Sequence, residues 1–512
     1  MTSKETNAAA IELVREYTKA LGQIEPAWSI KERPDGPYLL FHFAKPNERL
    51  FGLLENANSK VNPSNPFLGR ASIIERSSKP SDVVNLPEAR MLQKDLSESL
   101  TVDRNTFSED FWSRYTPSVT NFEQSILGNA NFIVYGRRGS GKSSLLAYAM
   151  HSNMEQGYPF SWTALQTYNG RNDENAISSV LSEIFFELAP YASSPAEFTA
   201  LASDFDAIAE GTARGVFSKI NRLIPRARRV LSQVVTRSRP LNIFLDDIHV
   251  IEEGLQPKLL SVLYSLTRGN NSYIKASGIE QFTNIWDSQT RQGLEPPHDA
   301  QILKLDHNLT MPDRSEQHIV SILDAHARFC GLPDIRYLAE EAVLARLVLI
   351  AAAVPRDALS LFSQAITKAL IKGQKAVTIT AVNAAASEAV EEKLKDVGKD
   401  AASTDTELVR LMLERIKDFC VKQHGINAFL VRIDSRNQEY NLVQRLIALR
   451  FVHVLHEGIT PHKVAERYIA LMLDFGFYIG VRAAKSVTLY PDTPKLLPVK
   501  ELRKLPIFSL KQ

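Results

Sequence analysis

Between about residues 131 and 309 the apolar positions fall into short continuous runs separated by longer amphipathic stretches. Residues 132–135 are apolar throughout, and residues 241–245 are interrupted only by Asn242. Such runs are the signature of parallel strands covered on both faces, since a strand with one wet side would alternate. Residues 159–165, 273–277 and 301–305 predict three further short strands, while residues 175–188 and 255–266 predict helices. Strands alternating with helices in this way predict an α/β fold, a parallel sheet with helices on both faces.

The flanks read differently. Residues 8–21 predict a helix and 38–43 a strand, followed by a Pro/Ser/Asn-rich stretch over 58–81, with no catalytic constellation. Residues 311–390 are helical in pattern. Beyond about residue 404 a helix over 406–422 is followed by apolar runs at 442–449, 451–455 and 464–473. These continue the helical pattern up to an aromatic, glycine-containing strand at 475–478. The expected division is an N-terminal region (1–105), an α/β core (106–310), a helical lid (311–400) and a C-terminal α+β domain (401–512). A chain of 512 residues is long enough for such a division.

Chemistry enters at the first strand of the core. It runs directly into Gly136-Arg137-Arg138-Gly139-Ser140-Gly141-Lys142-Ser143, with a helix expected from Ser144. Strand, glycine-rich turn, Lys-Ser and helix make a phosphate-binding loop. The glycines let backbone N–H groups converge on phosphate oxygens, Lys142 reaches the outer phosphates, and Ser143 offers a hydroxyl to Mg²⁺. Such a loop calls for an acid at the end of a neighbouring buried strand. The run at 241–245 ends in Asp246-Asp247. Asp246 is the candidate Mg²⁺ ligand, and Asp247 the group that orients or deprotonates the attacking water. The guanine-reading Asn/Thr-Lys-x-Asp motif is absent, which favours ATP. No His-Glu-x-x-His, Gly-x-Ser-x-Gly or Cys-x-x-Cys pattern supports metal hydrolysis or acyl chemistry. His249 reads as a packed helix-start residue.

Composition narrows the setting. The two cysteines, Cys330 and Cys420, lie far apart without metal-ligand spacing, which suits a reducing cytoplasm. The N-terminus lacks an apolar signal core and the longest apolar stretch, 347–355, is too short for a bilayer, so the expectation is a cytoplasmic protein without membrane contact. A net charge of +2 says little by itself, but residues 211–240 carry Arg214, Lys219, Arg222, Arg226, Arg228, Arg229, Arg237 and Arg239 and no acid. A one-sign block suits a phosphate backbone, hence DNA. It equally suits a solvated helical face or a subunit contact.

The order of these parts over residues 114–363 resembles the AAA+ ATPases, and within them the origin-recognition-like branch of replication initiators and loaders. The resemblance rests on the Gly136–Ser143 loop, the Asp246-Asp247 pair, the strand end at Ser277 and the helix start Pro355-Arg356. It implies a polar sensor at Ser277, with Lys275 the second choice, and a lid arginine at Arg356 that neutralises the γ-phosphate. It further implies a trans-acting arginine, for which Arg291 is the nearest match, and homo-oligomers that assemble on ATP. Residues 114–117 would lie beside the base. The resemblance also implies a winged helix at the C-terminus, with basic residues at His462, Lys463, Arg467 and 482–504; a helical protein-interaction domain is the alternative.

Asp247 stands where the family has Glu, a substitution that the related STAND signalling ATPases also show. Three functions follow: an ATP-driven switch acting with DNA, in replication, mobile elements or antiphage defence; a STAND-like ATPase controlling an effector protein; and an ATP-binding scaffold with negligible hydrolysis.

Overall fold

The computed structural model describes residues 3–510 apart from 103–108, 172, 212–214, 306–308, 311, 401–402, 461–465, 479–486 and 496. Arg214, His462, Lys463 and Arg482 therefore lie outside the described residues. The chain opens with α1 (Ser3–Ala20), the hairpin β1 (Ala27–Arg33) and β2 (Gly36–Phe43), α2 (Glu48–Asn58), β3 (Ala71–Glu75) and α3 (Pro87–Glu98). β2 is central in this sheet, antiparallel to β1 and parallel to β3.

This N-terminal unit does not have a core of its own. Its buried Tyr17, Phe41, Phe43 and Phe67 belong to one apolar cluster with lid residues such as Leu347 and Phe362 and C-terminal residues such as Phe429 and Leu471. Polar contacts follow the same line. Asn47 caps α2 through its side-chain oxygen and donates its amide to the lid carbonyl of Arg328 at 2.7 Å. Gln93 of α3 donates to Thr367 at 2.8 Å.

The α/β core follows: α4 (Glu109–Arg114), α5 (Phe122–Ile126), β4 (Phe132–Tyr135), α6 (Lys142–Gln156), β5 (Phe160–Ala164), α7 (Asn175–Leu188), α8 (Pro195–Ala209), α9 (Val216–Leu231), β6 (Leu241–Asp246), α10 (Gln256–Thr267), β7 (Ser272–Gly278), the two-residue strands β8 (Trp286–Asp287) and β9 (Gln292–Gly293), and β10 (Gln301–Lys304). Five strands form an all-parallel sheet in the order β10-β4-β7-β6-β5. Separate apolar clusters pack on its two faces, as the continuous apolar runs require. The acid-bearing β6 is not the immediate neighbour of the loop-bearing β4, because β7 lies between them.

The lid is α11 (Pro312–Phe329), α12 (Glu341–Ile350), α13 (Pro355–Ile371) and α14 (Ile379–Asp400). The C-terminal part comprises α15 (Ser403–Lys417), β11 (Ala428–Arg432), α16 (Gln438–Ala448), β12 (Val452–Ile459), β13 (Tyr468–Leu473), α17 (Val499–Leu502) and β14 (Ile507–Phe508). Its sheet runs β12-β13-β11-β14. Here the helical expectation fails: residues 452–459 and 468–473 are strands, and the aromatic Phe475–Phe477 is a single 3-10 turn. β13 is buried at every position, so its residues show no alternation to betray a strand.

Candidate functional site

The phosphate loop bends where its glycines allow. Gly139 and Gly141 take φ of +79° and +96°, values that cost other residues strain. Gly141 caps α6, which begins at Lys142 rather than at Ser144 and carries no side-chain cap. Its first N–H groups, with the positive end of the helix dipole, are thus left for an anion. Gly136 is needed for space, since a Cβ there would lie 2.4 Å from Ser140 Oγ and 3.0 Å from the carbonyl of Leu305.

Two strands away, Asp246 ends β6 and is buried. The hydroxyls of Ser277 and Ser143 both reach its carboxylate, that of Ser277 at 2.6 Å. Burial, with the neighbouring Asp247 carboxylate, pushes the Asp246 carboxyl up to about 6 against the opposing pull of those hydroxyls and Lys142. Asp247 takes φ of +60°, an uncommon conformation that turns its side chain away from the strand direction, and its N–H donates to Ser277 Oγ at 2.9 Å. Ser277, fully buried on the intervening β7, thereby ties the two acids together. Burial pushes the Lys142 ammonium below its ordinary value, with Asp247 and Asp246 opposing, so loop and acids share one electrostatic environment. His249 is also close, its Nδ1 3.8 Å from Asp247, and burial lowers its imidazole to about 4.

The start of α13 packs on the loop from the other side. The turn between α12 and α13 holds two alanines in the left-handed region, Ala352 at +47° and Ala353 at +60°. This strained turn delivers the start of α13, where the Arg356 N–H donates to the Gly139 carbonyl at 3.2 Å. A Cβ on Gly139 would stand 2.8 Å from the Cβ of Arg356. Burial lowers the Arg356 guanidinium, reinforced by Arg450 and Arg138 and opposed by Asp247. Arg138, Lys142, Ser143, Asp247 and Arg356 line one cavity of ≈ 310 Å³. A second, of ≈ 300 Å³, is lined by Tyr115, Glu123, Ser140, Leu145, Leu305, His318, Ile322 and Leu359. Residues 99, 101, 102, 141, 144, 355 and 359 line both, so they form one cleft of the size small ligands occupy.

The fit of this cleft to a nucleotide with Mg²⁺ can be judged from its walls. Cations gather around the loop, Ser143 and Asp246 supply oxygen ligands, and the buried Ser140 Oγ and His249 Nδ1 have no hydrogen-bond partner. The second cavity is apolar with a polar edge: Tyr115 donates to Glu123 at 2.7 Å, and burial lowers the His318 imidazole to about 4. Arg114, Tyr115 and Thr116 line this second cavity. His318, Ile322 and Leu359 were missed, because a lid residue facing the core has no local signature in the sequence.

Other candidates lie elsewhere. Lys275 is fully buried but donates to the carbonyls of Ile126 and Gly128, at the end of the sheet away from the loop. Arg291 sits exposed with φ of +55° between β8 and β9 and lines neither cavity. Part of the basic block is used internally. Arg226 pairs with Asp204, Arg228 donates to the carbonyls of Ser265 and Arg268, and Arg239 donates to that of Gly157. Lys219, Arg222, Arg229 and Arg237 are exposed.

A parallel sheet carrying this loop, this acid pair and a polar residue on the strand between them defines a P-loop nucleoside-triphosphate-binding domain. Residues 122–274 match the AAA ATPase domain family. Among solved structures the chain is similar to Drosophila ORC bound to DNA, at 12% identity over 84% of this chain and 96% of that one with a TM-score of 0.37. It is similar also to the Aeropyrum pernix ORC1 protein in complex with DNA, at 14% identity over 75% and 93% with a TM-score of 0.38. A third likeness is to a Walker-type ATPase of Pyrococcus abyssi, at 13% identity over 73% and 98% with a TM-score of 0.41. No curated protein matches the chain. Among the described residues, no helix is long and apolar enough to cross a membrane.

Proposed function

We propose that the chain is an ATP-binding and ATP-hydrolysing switch in which the lid and the phosphate loop close together on the nucleotide. One observation carries this reading: the helix-start arginine of the lid, Arg356, touches the loop backbone at Gly139 and shares a cavity with Lys142, Ser143 and Asp247. Ser143 and Asp246 would hold Mg²⁺, which when bound neutralises phosphate charge. Lys142 and Arg356 bind the outer phosphates, and Asp247 orients the water and takes its proton. Ser277 positions both carboxylates, while the lid excludes bulk water from the cleft.

Turnover tests this directly. Asp247→Asn keeps the shape and removes the base, so ATP hydrolysis should fall by about 10²–10⁴-fold with ATP still bound. Equal turnover in the two proteins would instead favour the ATP-binding scaffold.

The exposed Lys219, Arg222, Arg229 and Arg237 beside and on α9 support a contact with DNA through backbone phosphates. Residues 401–512 fit the interaction-domain reading better than a winged helix, because a single helix, α16, stands between β11 and β12 where a helix-turn-helix needs two. The exposed Arg291 supports a contact in trans between copies of the chain. The signalling reading without DNA retains one favourable observation: three arginines of the basic block, though half-exposed, already have partners within the chain.

A further inference from the structure

The C-terminal domain reaches the nucleotide machinery at two buried points. At the first, Arg137 of the phosphate loop donates toward the carbonyl of Ala352 in the strained lid turn at 3.4 Å. Its other guanidinium nitrogen lies 3.5 Å from His453 Nδ1 on β12, 316 residues further along the chain. Arg137 and His453 are both buried. The Nε2 of His453 faces the Asp474 carboxylate at 3.1 Å. A carboxylate only accepts and a guanidinium only donates, so the ring carries its proton on Nε2 and offers the Nδ1 lone pair to Arg137.

At the second point, Arg450, in the turn before β12, pairs with Asp357, the residue after Arg356. Lys393 of α14 joins the two points, 2.8 Å from Asp474 and 3.3 Å from Asp357. The resulting ladder runs Arg137, His453, Asp474, Lys393, Asp357, Arg450 and contains three cations against two carboxylates. Arg450 is also near enough to Arg356 to lower its guanidinium. Buried charged groups are costly to keep unless the geometry is held.

We propose that the C-terminal domain is a latch on the nucleotide site: His453 positions the phosphate loop through Arg137, and Arg450 positions the lid arginine through Asp357, so that seating of this domain and nucleotide affinity are coupled. This rests on the nucleotide-site reading above. Coupling is reciprocal, so bound nucleotide must alter the seating by the same factor by which seating alters affinity. Whatever engages the C-terminal domain would then read the nucleotide state without touching the cleft.

The experiment uses the full chain and two readouts in the same samples: binding of MgATP by titration, and hydrogen exchange of the backbone at residues 452–459 and 468–473. The native chain should bind MgATP and change its exchange in those strands on binding. His453→Ala should shift ATP affinity by about 5-fold or more and abolish that response. In an Arg137→Ala background the same substitution should shift affinity no further, whereas a merely structural loss would carry over unchanged. His453→Gln, which restores a polar side chain, should recover part of the coupling. MgATP binding with unchanged exchange, or equal effects of His453→Ala with and without Arg137, overturns the latch while leaving the nucleotide site standing. No MgATP binding by the native chain overturns both.

Discussion

Gly139→Ala isolates the contact between loop and lid with a single added methyl. Two costs follow from the geometry. The backbone at φ of +79° is left-handed, a conformation that costs a residue with a Cβ about 1–2 kcal/mol. The methyl would also stand 2.8 Å from Arg356 Cβ and 3.2 Å from Val354 Cγ1, inside van der Waals contact with a buried helix start. Overpacking of that kind costs typically 1–3 kcal/mol. The chain can relieve the second cost by lifting the lid, so the penalty falls on closure rather than on global folding. At about 1.4 kcal/mol per tenfold, the overpacking cost of roughly 1–3 kcal/mol weakens ATP binding by about 5- to 100-fold, while the backbone strain lowers stability with the lid open or closed.

Titration of a fluorescent ATP analogue into both proteins reads this out, with thermal unfolding followed in parallel. Arg356→Gly removes the atom that the methyl meets. On that background Gly139→Ala should therefore lose most of its effect on ATP affinity, keeping its backbone cost and the looser contact with Val354 Cγ1. Native-like ATP affinity in Gly139→Ala, or the same penalty with and without the Arg356 Cβ, would refute the idea that lid and loop close against each other.

Two other perturbations bear on separate parts of the account. Burial lowers the Lys275 ammonium to about 7, so the folded state binds fewer protons than the unfolded chain between there and the ordinary lysine value. Stability should consequently rise with pH from about 7 to about 10, and Lys275→Met should flatten that rise in unfolding curves while leaving ATP affinity alone. Replacing Lys219, Arg222, Arg229 and Arg237 together by Glu should abolish salt-dependent DNA retention in a gel-shift titration with turnover preserved; undiminished DNA affinity would assign the face another role.

Which parts of this were legible in the sequence follows from the range of the signals. The phosphate loop, the acid pair and the strands bearing them are local patterns, and the structure places Lys142 and Ser143 near Asp246. Strand order is not local: nothing in residues 241–247 says that β7 separates them from β4, which is what puts Ser277 between the acids. The partnering of Arg226, Arg228 and Arg239 was hidden for the same reason, because their acceptors lie on α8, at the end of α10 and after α6. The first hundred residues carry no local catalytic pattern, and their buried residues join one apolar core with the helical region after the sheet, a distant pairing no local signal shows. β13 and the buried first half of β12 carry no strand alternation, and a fully buried strand and a buried helix look alike in composition. Arg137 reads from the sequence only as one residue of the phosphate-binding loop, and its distant partner His453 shows that it bridges three parts of the molecule.

The central claim is that a triphosphate and its ion sit between the loop and the acids of β6. The most direct measurement is calorimetric titration of ATP, with and without Mg²⁺, into the native chain, Lys142→Ala and Asp246→Asn. The account predicts Mg²⁺-dependent binding by the native chain, its loss in Lys142→Ala, and survival of a weaker, Mg²⁺-insensitive binding in Asp246→Asn. Tight binding retained by Lys142→Ala, or an undiminished Mg²⁺ effect in Asp246→Asn, would contradict it.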